Sequence, residues 1–312
     1  MAHFFRATFV WLVVLACLQT SCTSLRPVAK IGLLAPFEGL YRRTGYTALA
    51  AMRSAIAENS LPDLDLLPLA LDDSRDPQRA AQKLLVDQSV RALVGPQNPF
   101  AFPSTLDVSL AAKPSWILPF EVAPDTNQFA EPRTATAWAT DLIATVAAQA
   151  RHQQAQRLVL AGWMPGWPQL SEAAWTAKTG MPVRLLDDAK KVVASDAVFW
   201  LGSPDGAAVY LGELRKSQPS VPFWLGLQGG DPVFVERAKL SGPIFWATWL
   251  GDDYAQWAAH HEPATPFAYL VYRATRQSIA ALAGHPNQKG EPVWRVQMFS
   301  LDAAGKSEPL FK

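Results

Sequence analysis

Residues 71–96 read Leu71-Asp-Asp-Ser-Arg-Asp-Pro-Gln-Arg-Ala-Ala-Gln-Lys-Leu-Leu-Val-Asp-Gln-Ser-Val-Arg-Ala-Leu-Val-Gly-Pro96. Leu71 ends an apolar run, Leu64–Leu71, of strand length. Asp76-Pro77 then opens a helix through residues 78–88. The acid can cap the first free N–H groups, and the proline sits where its missing N–H costs nothing. Val90–Val94 is a second short apolar run, stopped by Gly95-Pro96. Strand, helix and strand in close succession make a parallel pair with a right-handed crossover.

The same alternation extends outward. Upstream lie a strand, Lys30–Pro36, and a helical pattern over 45–59. Downstream come helix 103–112 and strand 115–119. The pattern restarts after residue 135 with helix 138–151, strand 157–161, helix 169–179, strand 182–186, strand 196–201, helix 205–217, strand 222–227, helix 231–239 and strand 243–248. A long helix, 265–284, and two terminal strands, 292–302 and 308–311, complete the chain. Tandem α/β units of this kind predict doubly wound parallel sheets. With 312 residues there is length for about two domains.

Lys plus Arg number 28 and Asp plus Glu 27, a net charge of +1. That balance gives no electrostatic case for a nucleic-acid partner. A composition 49% hydrophobic and 18% charged excludes disorder.

Residues 1–22 read as a secretory leader: Arg6 is the only charge, and Ala7–Leu18 is almost wholly apolar. The run is too short to span a bilayer and right for a signal-peptide core. Both cysteines of the chain, Cys17 and Cys22, end this segment, so no disulfide can staple the body. Val14-Leu15-Ala16-Cys17 is similar to a bacterial lipobox, and Gln19-Thr20-Ser21-Cys22 matches it less well. Lipidation at Cys17 or Cys22, with Cys17 favoured, would anchor an exported protein at a membrane. Residues 23–29 form a tether.

Four stretches resemble the type I periplasmic binding-protein family, in its leucine/isoleucine/valine-binding branch. They are Ile31–Gly39 with Gly45; Leu71–Ala81 with Val90–Pro96; Ala197–Gly202 with Val221–Gly226; and Pro266-Phe-Ala-Tyr269 opening the long helix. The resemblance implies two doubly wound lobes joined by three crossovers, closing on a small ligand in the cleft between them. Lobe 1 would be 30–135 with 248–285, and lobe 2 would be 136–247 with 286–312. It implies an extracytoplasmic solute receptor, in the periplasm or on the outer face of the cell membrane, serving an ABC permease. The alternative on the same fold is an envelope sensor or interaction protein that activates a cell-wall or signalling partner.

The cleft should be lined by loops at the carboxyl ends of the parallel strands. After the first strand, Tyr41 or Arg42 is the candidate contact, or else part of a solvated loop. After the third, Gln97, Asn98 and Phe100 lead into a helix whose N-terminus would favour an anion. Family members that bind α-amino acids carry small hydroxylated residues there, and this chain has Pro99 and Phe100. Glu121 in the next loop would repel an anionic head, or pairs with an Arg such as Arg133. In the second half, Trp167 stands where the family places a stacking aromatic, with Trp163 beside it; the alternative is that both are core or interlobe packing. Ser203 follows the next strand. Gln228 stands about where the family has an acid for the ligand ammonium, and Asp231 is a ligand contact or a helix cap. The residues for a zwitterionic amino acid therefore do not transfer. A flatter, more apolar or weakly charged ligand suits these loops.

Catalysis finds no support. There is no nucleophile elbow, phosphate loop or dinucleotide fingerprint, and the body lacks a cysteine. The five histidines, with His260-His261 adjacent, have no metal-ligand spacing. No cofactor is expected.

Overall fold

A computed structural model describes residues 26–95, 115–117, 132–163, 167–262, 264–284 and 292–310. The leader with Cys17 and Cys22, and the expected helix 103–112, lie outside these residues. Among the described residues no helix is long and apolar enough to cross a membrane.

The strand–helix–strand unit at 71–96 forms as β2 (Asp65–Asp72), α2 (Pro77–Val86) and β3 (Val90–Val94). The Asp76 carboxylate accepts from the Arg79 N–H at 2.9 Å, the capping bond its sequence predicts. With β1 (Val28–Ala35) and β4 (Ser115–Ile117) these strands make a parallel sheet in the order β2-β1-β3-β4. Alternation along the strands sends Ile31, Leu33, Ala92 and Val94 to one face. There they meet α1 (Arg42–Glu58) and α8 (Pro266–Leu282). Small residues on α1, Ala48, Ala51 and Ala55, let the two helices pack closely. Leu34 and Leu93 face the other way, onto Ala80, Ala81 and Leu84 of α2.

The second sheet has the order β11-β10-β9-β8-β7-β5-β6. Its strands are β5 (Arg157–Ala161), β6 (Val183–Leu185), β7 (Asp196–Trp200), β8 (Phe223–Leu225), β9 (Ile244–Gly251), β10 (Trp294–Leu301) and β11 (Ser307–Pro309). β6 through β9 are parallel; β10 and β11 join antiparallel. Helices α3 (Pro132–His152) and α4 (Glu172–Thr179) cover one face. Leu158, Leu160, Phe199 and Trp224 point into that layer. Val159, Val198, Phe223 and Leu225 point instead to α5 (Pro204–Ser217). Arg157 grips Asp196 with two bonds of 2.8 and 2.9 Å at the start of neighbouring strands.

The expected helix 231–239 is only α6 (Pro232–Arg237), because the backbone turns extended at Ala238; a tight 3-10 turn, Leu227–Gly230, precedes it. β9 runs three residues past its expected end, since β10 pairs with it as far as Trp294 opposite Gly251. An unexpected short helix, α7 (Tyr254–Ala258), follows.

Two of the segments linking the sheets are tied together beside β9. Asp252 N–H donates to the Val293 carbonyl, and Val293 N–H to the Asp252 carboxylate, both at 3.1 Å. Gly251 is required there: a Cβ would sit 2.6 Å from Pro292 Cβ and closer still to the Tyr269 hydroxyl. The Tyr269 hydroxyl and the buried Arg273 guanidinium, both on α8, donate to the Asp253 carboxylate. Around them Tyr254, Trp257, Tyr269 and Trp294 form a nest of rings, and His261 stacks on Trp257 at 4.6 Å.

Candidate ligand cleft

In each sheet the strand order reverses beside one strand: β2-β1-β3 in the first, β6-β5-β7 in the second. Loops leaving such a switch point diverge, and the crevice between them is where open α/β sheets bind ligands. Here the relevant loops follow β1, β3, β5 and β7, with the β8 loop beside them. Gln97, Asn98, Phe100 and Glu121 lie outside the described residues. The remaining candidates are Tyr41, Trp163, Trp167, Ser203, Gln228 and Asp231.

The loop after β1 is held by the end of β2. Asp72 accepts from the N–H groups of Phe37 and Glu38 at 2.6 and 3.1 Å. Burial pushes the Asp72 carboxyl up, but these bonds and that from Ser74 outweigh it and hold the carboxyl below its ordinary value. The loop delivers Tyr41 to the start of α1. Its hydroxyl donates to Asp205, in the first turn of α5. Burial, then that carboxylate, push the Tyr41 phenol well above its ordinary range. Thr44, one turn further, donates to Asp231 Oδ2 at 2.9 Å. The other oxygen, Oδ1, caps α6 through the Val233 N–H at 2.8 Å. Arg43 forms an exposed ion pair with Glu236.

The wall formed by β5 and β7 is packed around Trp200. This indole donates to the Ser203 carbonyl at 2.9 Å and lies against Gly162 and Gly202. A Cβ on Gly162 would reach 2.6 Å from the ring, and one on Gly202 would reach 2.8 Å. Ser203 caps α5 through the Gly206 N–H. Trp167, 5% exposed, sits in the core over α3 and α4, and its indole donates to the Leu201 carbonyl at 3.1 Å. Trp163 packs edge-on against Trp175 at 6.4 Å. Gln228 ties the β8 loop to the β7 loop, its amide donating to the Gly202 carbonyl at 2.9 Å. The Gln228 amide oxygen and the Trp163 indole N–H are buried without a hydrogen-bond partner. Unpaired buried groups of this kind are costly.

Three residues that shape this site escaped the sequence reading: Thr44, Trp200 and Asp205. Asp205 had a local signal, as an acid in the first turn after Ser203-Pro204. Thr44 had none, because its partner lies 187 residues away. Among the described residues no group of three or more His, Cys, Asp or Glu could hold a metal ion.

This architecture is the type I periplasmic-binding-protein fold: two parallel-dominated α/β sheets, each with a switch point, whose β1 and β7 loops meet through Tyr41 and Asp205. The leucine-binding protein LivK of Thermotoga maritima superposes with a TM-score of 0.70 at 12% identity, over 90% of this chain and 97% of that one. The branched-chain amino acid transporter substrate-binding protein LivJ of Streptococcus pneumoniae, in complex with isoleucine, gives 0.64 at 16% identity, over 90% and 98%. A solute-binding protein of an ABC transporter from R. palustris, in complex with benzoate, also gives 0.64 at 16% identity, over 91% and 95%. No protein-family model and no curated protein matches the sequence.

Proposed function

We propose that the chain is an exported solute-binding protein, not an enzyme, that holds a small ligand between its two lobes and delivers it to an ABC importer. The observation that carries this reading is a type I binding-protein fold in which the loops after β1 and β7 meet, Tyr41 bonding Asp205. The lobes follow the expected bounds, 30–135 with 248–285 and 136–247 with 286–312, except that β9 carries the second sheet on to Gly251. A lipid on Cys17 or Cys22 retains the protein at the membrane.

The ligand is not a free aliphatic α-amino acid. Gln228 stands where an ammonium would need an acid, and it offers only a neutral amide oxygen, its NH2 group being bonded to the Gly202 carbonyl. Both oxygens of Asp231 have donors from the chain itself, and Asp205 accepts from Tyr41. An ammonium left without a charged partner in the cleft would cost several kcal/mol, more than the roughly 1.5–3 kcal/mol a branched side chain returns. A flat, weakly charged ligand suits the amide and indole groups better.

The test is a thermal-shift screen of the chain against metabolite pools, followed by calorimetry, since a ligand that binds only the folded state raises Tm. An aromatic or amide-bearing hit supports the reading. Micromolar binding of leucine, isoleucine or valine overturns the ligand class, and no hit in any pool favours the second reading. That reading, an envelope interaction protein on the same fold, draws support from the bonds the chain makes across its own crevice at Tyr41 and Thr44.

A further inference from the structure

The first turn of α1 reaches the second sheet's helices three times in four residues. Tyr41 bonds Asp205 on α5, Arg43 pairs with Glu236 on α6, and Thr44 bonds the Asp231 cap of α6. The three differ in weight. Arg43 and Glu236 are each more than half exposed, so their pair contributes little. Thr44 and Asp231 are 2% and 5% exposed, which shields their bond from water. Tyr41 is half-buried, and its partner is an ionised acceptor, the stronger kind of bond.

These bonds need nothing but the chain. Bringing the two halves together at this edge satisfies two hydroxyls and two carboxylates at once. Parting them leaves Thr44 and Tyr41 to find water, while Asp231 keeps its helix cap. The edge is continuous with apolar packing: one buried cluster runs from β1, α1 and α8 into β7, β8, α5 and α6.

We propose that Tyr41–Asp205 and Thr44–Asp231 form an intrinsic latch that sets the resting balance between closed and open lobes before any ligand arrives. The latch is a property of the chain whether its partner is a solute or a protein, so it stands apart from the reading of the cleft. A receptor of this kind spends most of its unliganded time shut.

The body lacks cysteine, so two can be introduced cleanly as spin-label sites. Exposed Lys83 on α2 and Lys178 on α4 report on the two halves. The full chain carries Cys17→Ser, Cys22→Ser, Lys83→Cys and Lys178→Cys, and is unfolded and refolded on a column to strip any bound solute. Electron–electron distance measurement should show mainly the short separation. Adding Tyr41→Phe with Thr44→Val should lower the short-to-long ratio about tenfold or more. Thr44→Ser, which keeps the hydroxyl, should retain the wild-type distribution. A long separation dominating in the latched chain overturns the proposal. So does an unchanged distribution in the folded double variant; if that variant does not fold, Tyr41→Phe alone decides by the same criterion.

Discussion

The joint around Asp253 is built from rings, and the joint around Asp231 from hydroxyls and carboxylates. At the first, Tyr254, Trp257, Tyr269 and Trp294 enclose the Arg273–Asp253 pair, and the two linking segments bond each other through Asp252 and Val293. At the second, Tyr41 and Thr44 touch Asp205 and Asp231 through single directional bonds. Ring packing draws on large buried area and tolerates little displacement. A hydrogen bond is lost within a fraction of an ångström but can be replaced by water. The difference teaches a division of labour: the aromatic joint belongs to folding, and the polar joint to the choice between conformations.

The largest test of that division is Trp257→Ala. Trp257 is 7% exposed and contacts His261, Tyr254, Tyr269 and Tyr272, so truncation should cost about 3–5 kcal/mol of stability in a denaturant titration. The lobe separation of the folded fraction should stay unchanged. Asp253→Ala comes next. It removes the carboxylate facing a guanidinium that is 3% exposed, and should cost about 3 kcal/mol by the same titration. Thr44→Val should cost about 1 kcal/mol of stability while opening the lobes. Should Thr44→Val match Trp257→Ala in stability and leave the lobes closed, the two joints are of one kind and the distinction fails.

The smallest effect expected is that of acid. Burial pushes the Asp205 carboxyl up, but bonds from Tyr41, Ser203 and the N–H groups of Asp205 and Gly206 outweigh it and hold the carboxyl below its ordinary value. A depressed carboxyl contributes above its unfolded value and loses that contribution as pH falls through its folded value. The Tyr41–Asp205 bond is therefore intact at neutral pH and weakens below the ordinary carboxylate range. Small-angle scattering should register expansion of the folded chain there, and less of it with Asp205→Asn. Expansion beginning near neutrality would point to a group other than this carboxylate.

Much of the fold is legible because its signals are local. Asp76-Pro77, Ser203-Pro204 and Thr265-Pro266 each pair a capping side chain with a proline in the first turn, and each starts a helix. The central strands β5, β7 and β8 are short and largely apolar on both faces, as parallel strands covered by helices must be. What is not legible depends on distance along the chain. β9 is long because β10, some 40 residues later, pairs along it. Trp163 and Trp167 carry the same residue type in one loop, yet only three-dimensional packing tells that Trp167 lies in the core, where truncation would cost fold stability. Asp231 reads as a helix cap from its sequence, and it is one; its second partner, Thr44, leaves no trace in the residues around it.

The indole of Trp200 seated against three glycines, Gly162, Gly202 and Gly206, has a thermodynamic consequence. None of the three can take a side chain without displacing the ring, so two loops and the first turn of α5 are stacked on one rigid plate. A guest arriving on this wall would meet a surface held in shape around the ring. Little configurational entropy is left to surrender there, so selection on this side is by contour, with the fit decided at first encounter rather than by loops that mould themselves around what they catch.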